Sequence, residues 1–342
     1  MGATILALLA CAEWGWCLTS NPVVWVLPTA LLLALLIDHL FGEPPARWHP
    51  VVWMGHALGW AGKRVAPLAQ DAPAGIDLKV FWHAALYWCA LSAIAFAAAF
   101  ALQTLCLAAP PWAAALGLAL CLKPLLAWRM LRTEVLAVEA ALAQSLAAGR
   151  ERLSWLVSRD VAQLTEAQVR ESAIESLAEN LNDSVVAPLF WFAVAGLPGA
   201  VLYRFANTAD AMWGYRTVRG GRQWEWAGKW AARADDALNW LPARLTALLL
   251  WPVGQGAALW RNAGLTPSPN GGWPMGAMAL SLGVRLGKPG VYTLNAPGRE
   301  PVAADVARAV ALAWRAVWRG AVVLACGLVA FQWMGVGLPW MP

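Results

Sequence analysis

Long apolar stretches separated by short polar segments dominate the chain. Four of them approach the length of about 20 residues with which an α-helix crosses a bilayer. They cover residues 23–37, 80–109, 111–128 and 317–334. The pattern therefore predicts an all-α, polytopic integral membrane protein with helical regions on the cytoplasmic side.

Two further apolar stretches, residues 185–202 and 241–259, contain residues that break helices. These residues are Pro188, Gly196, Pro198, Pro252 and Gly254. Helices broken at membrane depth occur where they are buried in protein or line a cavity. We expect both stretches to span the membrane, re-enter it or lie in its interface, close to a functional site.

Basic residues gather in two segments, 129–170 and 204–244. The positive-inside rule places both segments in the cytoplasm and the uncharged turn at residues 109–111 outside. A single simple span over 185–202 would place the two basic segments on opposite sides of the membrane. A re-entrant or interfacial helix is therefore favoured there.

The composition agrees with a membrane protein, because 60% of the 342 residues are hydrophobic and 13% are charged. The six cysteines lie in apolar sequence without a Cys-x-x-Cys pair, which is typical of ordinary buried thiols. Residues 1–19 lack the basic start of a signal peptide, so we interpret them as an extra membrane-associated segment of open orientation. Tryptophans near the ends of apolar stretches are expected to anchor at the interface, among them Trp14, Trp16, Trp112, Trp333 and Trp340.

Four acids recur every four residues after a helix start at Thr165, where Gln168 completes a capping box. They are Glu171, Glu175, Glu179 and Asp183. Each step of four drifts by about 40°, so the acids form one slanted stripe about 18 Å long. Neighbours in the stripe can share a ligand, whereas its two ends cannot. The alternative is the solvated face of an ordinary helix, which is our interpretation of Glu171.

Two later clusters combine acids with amides in the same way. Asn207 and Asp210 form one cluster, and Asp235, Asp236 and Asn239 form the other. One or two carboxylates with substrate phosphates are the usual ligands of Mg²⁺, and arginine binds phosphate in a bidentate manner. The clusters therefore predict a phosphate-handling site, with surface salt bridges as the alternative.

Other chemistries lack their motifs. The chain has no phosphate-binding Walker loop, no Gly-x-Gly-x-x-Gly and no Gly-x-Ser-x-Gly. The basic segments alternate with acids and tryptophans, so lipid headgroups or small phosphate-bearing molecules are favoured over nucleic acid. Three histidines near residue 49 make a zinc site conceivable, but no helical His spacing supports one, so we interpret this segment as a polar surface loop that completes the site.

These segments indicate one membrane-embedded catalytic domain over residues 1–342. It is divided into N-terminal membrane segments (1–37), a polar loop (38–79), a membrane hairpin (80–128), a cytoplasmic or interfacial catalytic region with broken helices (129–316) and a C-terminal span (317–342). Local patterns predict a helical hairpin over 129–158 with a stop at Gly149, a helix over 275–286 ending at Gly287, and a helix over 305–318 that feeds the last span.

Several motifs follow one another in order between residues 38 and 287. They include His49-Pro50, Arg159-Asp160, the acids and Asn180 within 175–183, Tyr203-Arg204, the polar residues of 207–215, those of 232–245, and 270–274. In this order they resemble the adenosylcobinamide-phosphate synthase family of cobalamin biosynthesis. Ala211 stands where that family usually has Ser and Glu43 where Asp is usual, and its Phe-Gly is replaced around residues 226–230. No acid of the core motifs is lost.

The resemblance implies an ATP-dependent amide ligation. A propionate carboxylate of adenosylcobyric acid, the corrinoid substrate, would be joined to the amine of aminopropanol or of its O-phosphate, with Mg²⁺ as cofactor and ATP as co-substrate. It also implies a multi-pass protein of the bacterial cytoplasmic (inner) membrane, in contact with lipid and not with nucleic acid. Assembly as a homo-oligomer or with other membrane enzymes of the corrinoid pathway is compatible with it.

The resemblance and the chemistry of the residues together suggest roles. The catalytic candidates are Glu175, Glu179, Asp183 and His49, with Glu175 or His49 as the base. The metal candidates are Glu179, Asp183, Asp210 and Asp236. The candidates for binding substrate or phosphate are Asp38, Arg159, Asp160, Asn180, Arg204, Asn207, Tyr215, Arg233, Asp235, Asn239 and Arg244. The competing classes are a non-enzymatic membrane sensor or signalling protein of a related family and a transporter with broken helices.

Overall fold

Helices make up most of the structure. The computed structural model describes residues 22–72 and 75–334. The α-helices are α1 (Val26–Phe41), α2 (Pro50–Val65), α3 (Leu78–Leu107), α4 (Pro111–Leu122), α5 (Trp128–Leu142), α6 (Leu146–Leu153), α7 (Glu166–Leu181), α8 (Ala187–Trp213), α9 (Lys229–Leu249), α10 (Gly256–Ala263), α11 (Gly272–Leu282) and α12 (Ala303–Trp333). Two antiparallel hairpins are formed by β1 (Val218–Arg219) with β2 (Arg222–Gln223) and by β3 (Leu286–Lys288) with β4 (Tyr292–Leu294).

Some predictions concern parts of the chain without a structural description. The membrane-associated segment 1–19, the thiols Cys11 and Cys17, and the anchoring of Trp14, Trp16, Trp340 and the Trp333 side chain lie outside the described residues. The other cysteines, Cys89, Cys106, Cys121 and Cys326, are free thiols.

Four helical stretches among the described residues are long and apolar enough to cross a membrane. They are Leu78–Leu107, Pro111–Leu142, Glu166–Trp213 and Ala303–Phe331. These stretches confirm the prediction of an all-α polytopic membrane protein. The stretch 241–259 is not one helix, because α9 ends at Leu249 and α10 begins only at Gly256.

The segment 38–79 is not the polar loop that was expected. Its first residue, Asp38, belongs to α1, and Pro50 begins α2. Proline suits the first helical turn because the missing N–H has no partner there, and the His49 ring caps the turn by accepting a hydrogen bond from the Val51 amide at 3.3 Å. A helix therefore occupies residues 50–65.

Two helix ends also differ from the prediction. Gly149 lies inside α6, and the hairpin turns earlier, where Ser145 caps α6 through the Ala148 amide. Helix α11 ends at Gly283 rather than at Gly287. Gly283 adopts a left-handed φ of 68°, a helix-terminating conformation that glycine alone adopts without strain, and residue 287 belongs to β3.

Helix α7 begins at the residue that its sequence predicts. The way in which it ends was not predicted from the sequence. The capping box of Thr165 and Gln168 is formed in both directions. Arg170 fastens the helix to α5 by two hydrogen bonds, of 2.8 and 2.9 Å, to the Glu139 carboxylate. At Asn182–Val186 the helix widens into a π-helical turn, which shifts the register of Asp183 relative to the acids before it.

Helix α8 is broken, as the interrupted apolar pattern predicted. Ala195 and Gly196 have non-helical backbone angles, and Gly196 has a φ of 65°. The Leu197 amide, near the start of the second half, donates a 2.7 Å hydrogen bond to Oε1 of Gln103 in α3. Gln103 is 1% exposed, so this buried side chain satisfies the backbone that the break releases. Re-entry of this segment into the membrane stays a prediction.

We predict that Gln103→Leu destabilises the protein by about 1–3 kcal/mol, since it leaves the Leu197 amide buried without an acceptor. The shift of the unfolding midpoint in detergent measures the effect. Thr104→Val is the control, because the exposed Thr104 hydroxyl bonds only to Phe100 within its own helix. Equal stability of the two variants would contradict a capping role for Gln103.

Candidate functional site

The acidic stripe of α7 divides into two chemically different halves. Glu171 and Glu175 are each 4% exposed. Glu171 pairs with Arg285 at 3.3 Å, and Glu175 pairs with Arg159 at 3.1 Å. Glu179 is instead exposed to a cleft, and no ion pair to it is formed by the described residues. Both acids of the first half are thus paired with arginines, whereas Glu179 in the second half is not.

The interpretation of Glu171 as a solvated residue is wrong. Strand β3 packs against α7 and brings the preceding residue, Arg285, onto this carboxylate. Arg285 also pairs with Glu300 at 2.8 Å. A buried carboxylate is tolerated when it is paired in this way, so Glu171 fixes the β3–β4 hairpin to the helix.

A buried hydrogen-bond network joins α9 to the π-helical turn and to α8. The Asn239 side chain is 3% exposed. Its oxygen accepts from the Asn182 amide at 2.7 Å and from the Tyr203 hydroxyl at 2.9 Å, and its NH₂ donates to Asp235 at 3.0 Å. Asn182 in turn accepts from Thr246 at 3.0 Å. The sequence prediction that Asn239 shares a helix face with an acid is confirmed for Asp235.

The three polar clusters predicted from the sequence meet in one cleft, which we call the acid cleft. It has a volume of 370 Å³. Its acids are Glu179, Asp183, Asp210, Asp235 and Asp236. Gly214 makes room for them, because a Cβ there would lie 2.0 Å from an Asp210 carboxylate oxygen.

The acid cleft holds more negative than positive charge. Burial raises the pKa of Asp235 well above its ordinary value, and the neighbouring Asp183 and Asp210 raise it further. Burial also raises the pKa of Asp236, although Arg233 and Arg216 oppose the shift. Such crowding of carboxylates is relieved by protons or by a bound cation.

A wider basic cavity of 810 Å³ adjoins the acid cleft and shares Arg216 and Asp236 with it. Its other basic residues are Lys229, Arg233 and Arg244, and its aromatic residues are Tyr215, Trp260 and Trp273. Arg244 lies over the Trp273 ring at 4.9 Å and donates to Asn270 at 2.6 Å. Stacked, hydrogen-bonded guanidinium groups are held ready to bind anions.

The residues of the acid cleft fit Mg²⁺ delivered with a phosphate ligand. Among the described residues, no group of three or more His, Cys, Asp or Glu side chains is placed to hold an ion by itself. Mg²⁺ is usually bound through one or two carboxylates together with substrate phosphates. The donor set and the basic cavity beside it match that mode rather than a closed metal cage.

A second, smaller cavity is also lined by Glu179, and we call it the small polar cavity. Its volume is 190 Å³. Three of the predicted site residues, Arg159, Glu175 and Asn180, line it. Glu179 lines both this cavity and the acid cleft, so it stands where the two meet.

The structure does not bring His49 or Asp38 into these cavities. The His49 ring contacts Glu43 at 3.0 Å through one nitrogen and the Val51 amide through the other. Asp38 is fully buried, accepts from the Arg129 amide at 3.0 Å and pairs with Lys123 at 3.6 Å. Both side chains are occupied by contacts within the protein.

Three other predicted residues contact protein rather than an open space for substrate. Arg204 donates to the Asp183 carbonyl at 3.1 Å and so braces the π-helical turn. Asn207 donates to the Asp183 carboxylate at 3.3 Å and thereby orients an acid of the cleft. Asp160 is exposed and accepts from the nearby Ala162 amide, outside the three cavities.

Sequence reasoning missed several residues that shape the site. They are Asn182, Arg216, Thr246, Asn270, Lys288 and Tyr292. Asn182 lies in the polar run Asn-Leu-Asn-Asp, and Asn270 lies in a motif that was recognised without a role, so both carried a signal. Lys288 and Tyr292 carried none, because their position depends on how β3 and β4 fold back onto α7.

The apolar helices and the acid cleft define a polytopic α-helical membrane protein with a polar site lined by acids. Residues 31–315 match the family model described as CobD/Cbib protein. The chain therefore belongs to the CobD/Cbib family.

Similar proteins come from archaea and bacteria. A probable cobalamin biosynthesis protein CobD of Thermococcus kodakarensis is 43% identical over 302 residues, which cover 86% of this chain and 94% of the relative. The cobalamin biosynthesis protein CobD of Chromobacterium violaceum is 41% identical over 300 residues, with coverages of 84% and 92%. No solved structure matches the chain.

We predict that Asp235→Asn raises the melting temperature at neutral and alkaline pH. A carboxyl whose pKa is raised by folding binds its proton more tightly in the folded state. Its contribution is therefore most favourable at low pH and is lost as the pH rises through the folded pKa. Asparagine stays neutral and can still accept from Asn239, so the variant escapes this loss.

Melting curves at about pH 5 and about pH 8 test this prediction, since an unfolded Asp titrates near pH 4. The advantage of the variant should be larger at the higher pH. Asp160→Asn, a matched change at an exposed position, should alter the melting temperature at neither pH. A variant that is less stable than wild type at the higher pH would contradict the assignment of Asp235 as an uncompensated acid.

Proposed function

We propose that this protein acts in cobalamin biosynthesis as an ATP-dependent ligase. It joins a propionate carboxylate of adenosylcobyric acid to the amine of aminopropanol or aminopropanol O-phosphate. One observation carries the proposal. Glu179 lines both the acid cleft, which adjoins the basic cavity, and the second, smaller polar cavity. The names of the relatives support the pathway, and the motifs support the reaction.

The reaction needs activation because a carboxylate oxygen is a poor leaving group. Transfer of the γ-phosphoryl group of ATP to the propionate gives an acyl phosphate. The amine attacks its carbonyl carbon, the C–N bond forms, and the C–O bond to phosphate breaks with the electron pair leaving on phosphate. Two substrate sites must therefore meet at one carboxyl carbon, as the two cavities meet at Glu179.

The basic cavity is the proposed binding site of the ATP phosphates. Arg216, Arg233 and Arg244 line it and provide planar donors for phosphate oxygens. Trp260 lines the same cavity and its side chain is exposed, so the flat corrin can pack against its ring. Its volume of 810 Å³ suits bulky ligands better than the 190 Å³ of the smaller cavity does.

The acid cleft is the proposed site of Mg²⁺. One or two of the carboxylates of Glu179, Asp183, Asp210 and Asp236 would hold it, together with the phosphates of ATP. When bound, the ion neutralises charge on the transferred phosphoryl group. Asn207 keeps the Asp183 carboxylate in place, and Asn270 fixes the backbone of Asp236 by a 2.7 Å hydrogen bond to its carbonyl.

Glu175 is the proposed general base. Its Oε2 pairs with Arg159, whereas its Oε1 is buried and has no hydrogen-bond partner among the described residues. That atom is available to accept a proton from the ammonium group of the substrate, which leaves the neutral amine to attack the acyl phosphate. We prefer Glu175 to His49 because both ring nitrogens of His49 already have partners.

The site faces the cytoplasm in this proposal. ATP is supplied there, and the basic segments that carry Arg159, Arg216 and Arg233 favour that side of the membrane. The protein would accordingly be a multi-pass component of the bacterial cytoplasmic membrane.

We expect the purified protein to form the amide and consume ATP when it is given adenosylcobyric acid, aminopropanol phosphate, ATP and Mg²⁺. Glu179→Gln should lower kcat by about a hundredfold or more, because it removes a charge from the reacting centre. Product formation followed by chromatography, with ATP loss in parallel, measures both.

Glu166→Gln is the matched control, since Glu166 is an exposed acid at the start of the same helix. It should keep wild-type turnover. Absence of ATP consumption by the wild-type protein with either amine would refute the ligase function. Full activity of Glu179→Gln would refute the proposed role of this residue alone.

A further inference from the structure

A groove of 530 Å³ lies outside the three polar cavities, and we call it the apolar groove. Its walls come from α2, α3, the end of α4 and the second half of α8. None of the described residues that line it is charged. Because α3 and α4 belong to stretches that can cross a membrane, hydrocarbon surrounds the protein at this groove.

The apolar groove follows α3 for about the depth of one membrane leaflet. Leu91 and Leu102 are the first and last residues of α3 that line it. The eleven helical steps between them rise by about 16 Å, and half of a hydrocarbon core of about 30 Å is about 15 Å. Ile94 and Leu102 are exposed, so the groove is open along its side. This shape fits a long apolar chain better than a compact molecule.

Aromatic and basic residues meet where α2 begins at the groove. Trp48 and Trp53 line the groove and are exposed. The Trp53 indole donates a 3.0 Å hydrogen bond to the Arg47 carbonyl, which holds the backbone of Arg47 beside the groove. Arg47 is exposed and forms no ion pair with any described residue. Indole rings favour the headgroup region of a membrane, and an unpaired arginine there attracts an anionic lipid.

The exposed face of α2 continues this pattern. Trp53, Trp60 and Arg64 follow one another at spacings of seven and four residues, so they share one helix face. Cζ of Arg64 lies 3.8 Å from the centroid of the Trp60 ring. Lys63, beside Arg64, is exposed as well. Tryptophan and basic residues along an exposed face are typical of a helix that lies among lipid headgroups.

The apolar groove also borders the helical segment that carries part of the acid cleft. Leu197, Val201 and Phe205, in the second half of α8, line the groove. The same half carries Tyr203 and Arg204, whose hydrogen bonds join it to α9 and to the π-helical turn. Side chains next to an empty groove lack packing contacts on that side. A chain that fills the groove therefore stabilises this half of α8.

We propose that the apolar groove binds one acyl chain of an anionic phospholipid, whose phosphate lies at Arg47 and whose glycerol lies beside Trp48 and Trp53. An extended peptide would leave its backbone polar groups unpaired against the apolar lining, whereas an acyl chain has no such groups. The bound lipid packs against the second half of α8 and so supports the acid cleft from the membrane side.

The binding test compares phosphatidylglycerol with phosphatidylcholine, titrated into the full-length protein after its lipid has been removed in detergent. Native mass spectrometry counts the bound lipids. Wild type should bind phosphatidylglycerol saturably and about fivefold more tightly than phosphatidylcholine, because Arg47 meets a headgroup of net negative charge. Arg47→Gln should abolish most of this preference. Arg315→Gln, at an exposed arginine of α12, should keep it.

Filling the groove provides a second test. Ala98 lines the groove and is exposed, so a larger side chain there occupies the groove without entering the protein core. Phosphatidylglycerol should raise the melting temperature of wild type, since a ligand that binds the folded state stabilises it. Ala98→Trp should lose this rise and bind the lipid about tenfold more weakly or worse. Ala97→Trp, at an exposed position outside the groove, should keep both properties.

Three outcomes would overturn the proposal. The first is equal binding of phosphatidylglycerol by wild type, Arg47→Gln and Ala98→Trp. The second is a wild-type protein that binds neither lipid. The third is a dimer that Ala98→Trp dissociates, which would assign the groove to a second copy of the chain. Neither measurement uses the ligase reaction, so the lipid site and the proposed function stand or fail separately.

Discussion

The site depends on the buried side chain of Asn239 more than on any single acid. Its amide joins the π-helical turn, the second half of α8 and the middle of α9, through Asn182, Tyr203 and Asp235. Inside a protein each of these polar atoms must find a partner, since an unpaired one costs more than a formed bond gains. The three helical segments that carry the acids are therefore fixed relative to one another before any ligand binds.

This framework allows charge to be distributed unevenly along one helix. Glu171 and Glu175 are paired with arginines from distant segments, while Glu179 and Asp183 face the acid cleft. The raised pKa of Asp235 reflects the crowding that results. Repulsion between these carboxylates lowers the stability of the protein. In the proposed function the same repulsion would favour a bound cation, so that function and stability would oppose each other in this cleft.

Breaks in the helices give the polar groups their positions. The π-helical turn moves Asp183 off the regular stripe, so the simple spacing of four does not describe its direction. The break at Gly196 needs Gln103 from another helix to satisfy the freed amide. The prolines and glycines predicted that the helices are broken. The side chain that stabilises the break at Gly196, however, lies about 90 residues away in the chain. Local pattern cannot reveal such a partner.

The sequence by itself determined the membrane class, the long apolar helices, the cap at Thr165 and the grouping of acids from three polar clusters. These features depend on hydropathy, periodicity and residue chemistry, which are local properties. Tertiary structure alone decided that Glu171 is buried against Arg285, that His49 is occupied by Glu43 and a helix cap, and that Lys288, in a hairpin, lines the same cavity as Glu175. The reason is physical: the surroundings of a charge are set by whichever segments fold against it, and those segments are far away in the sequence.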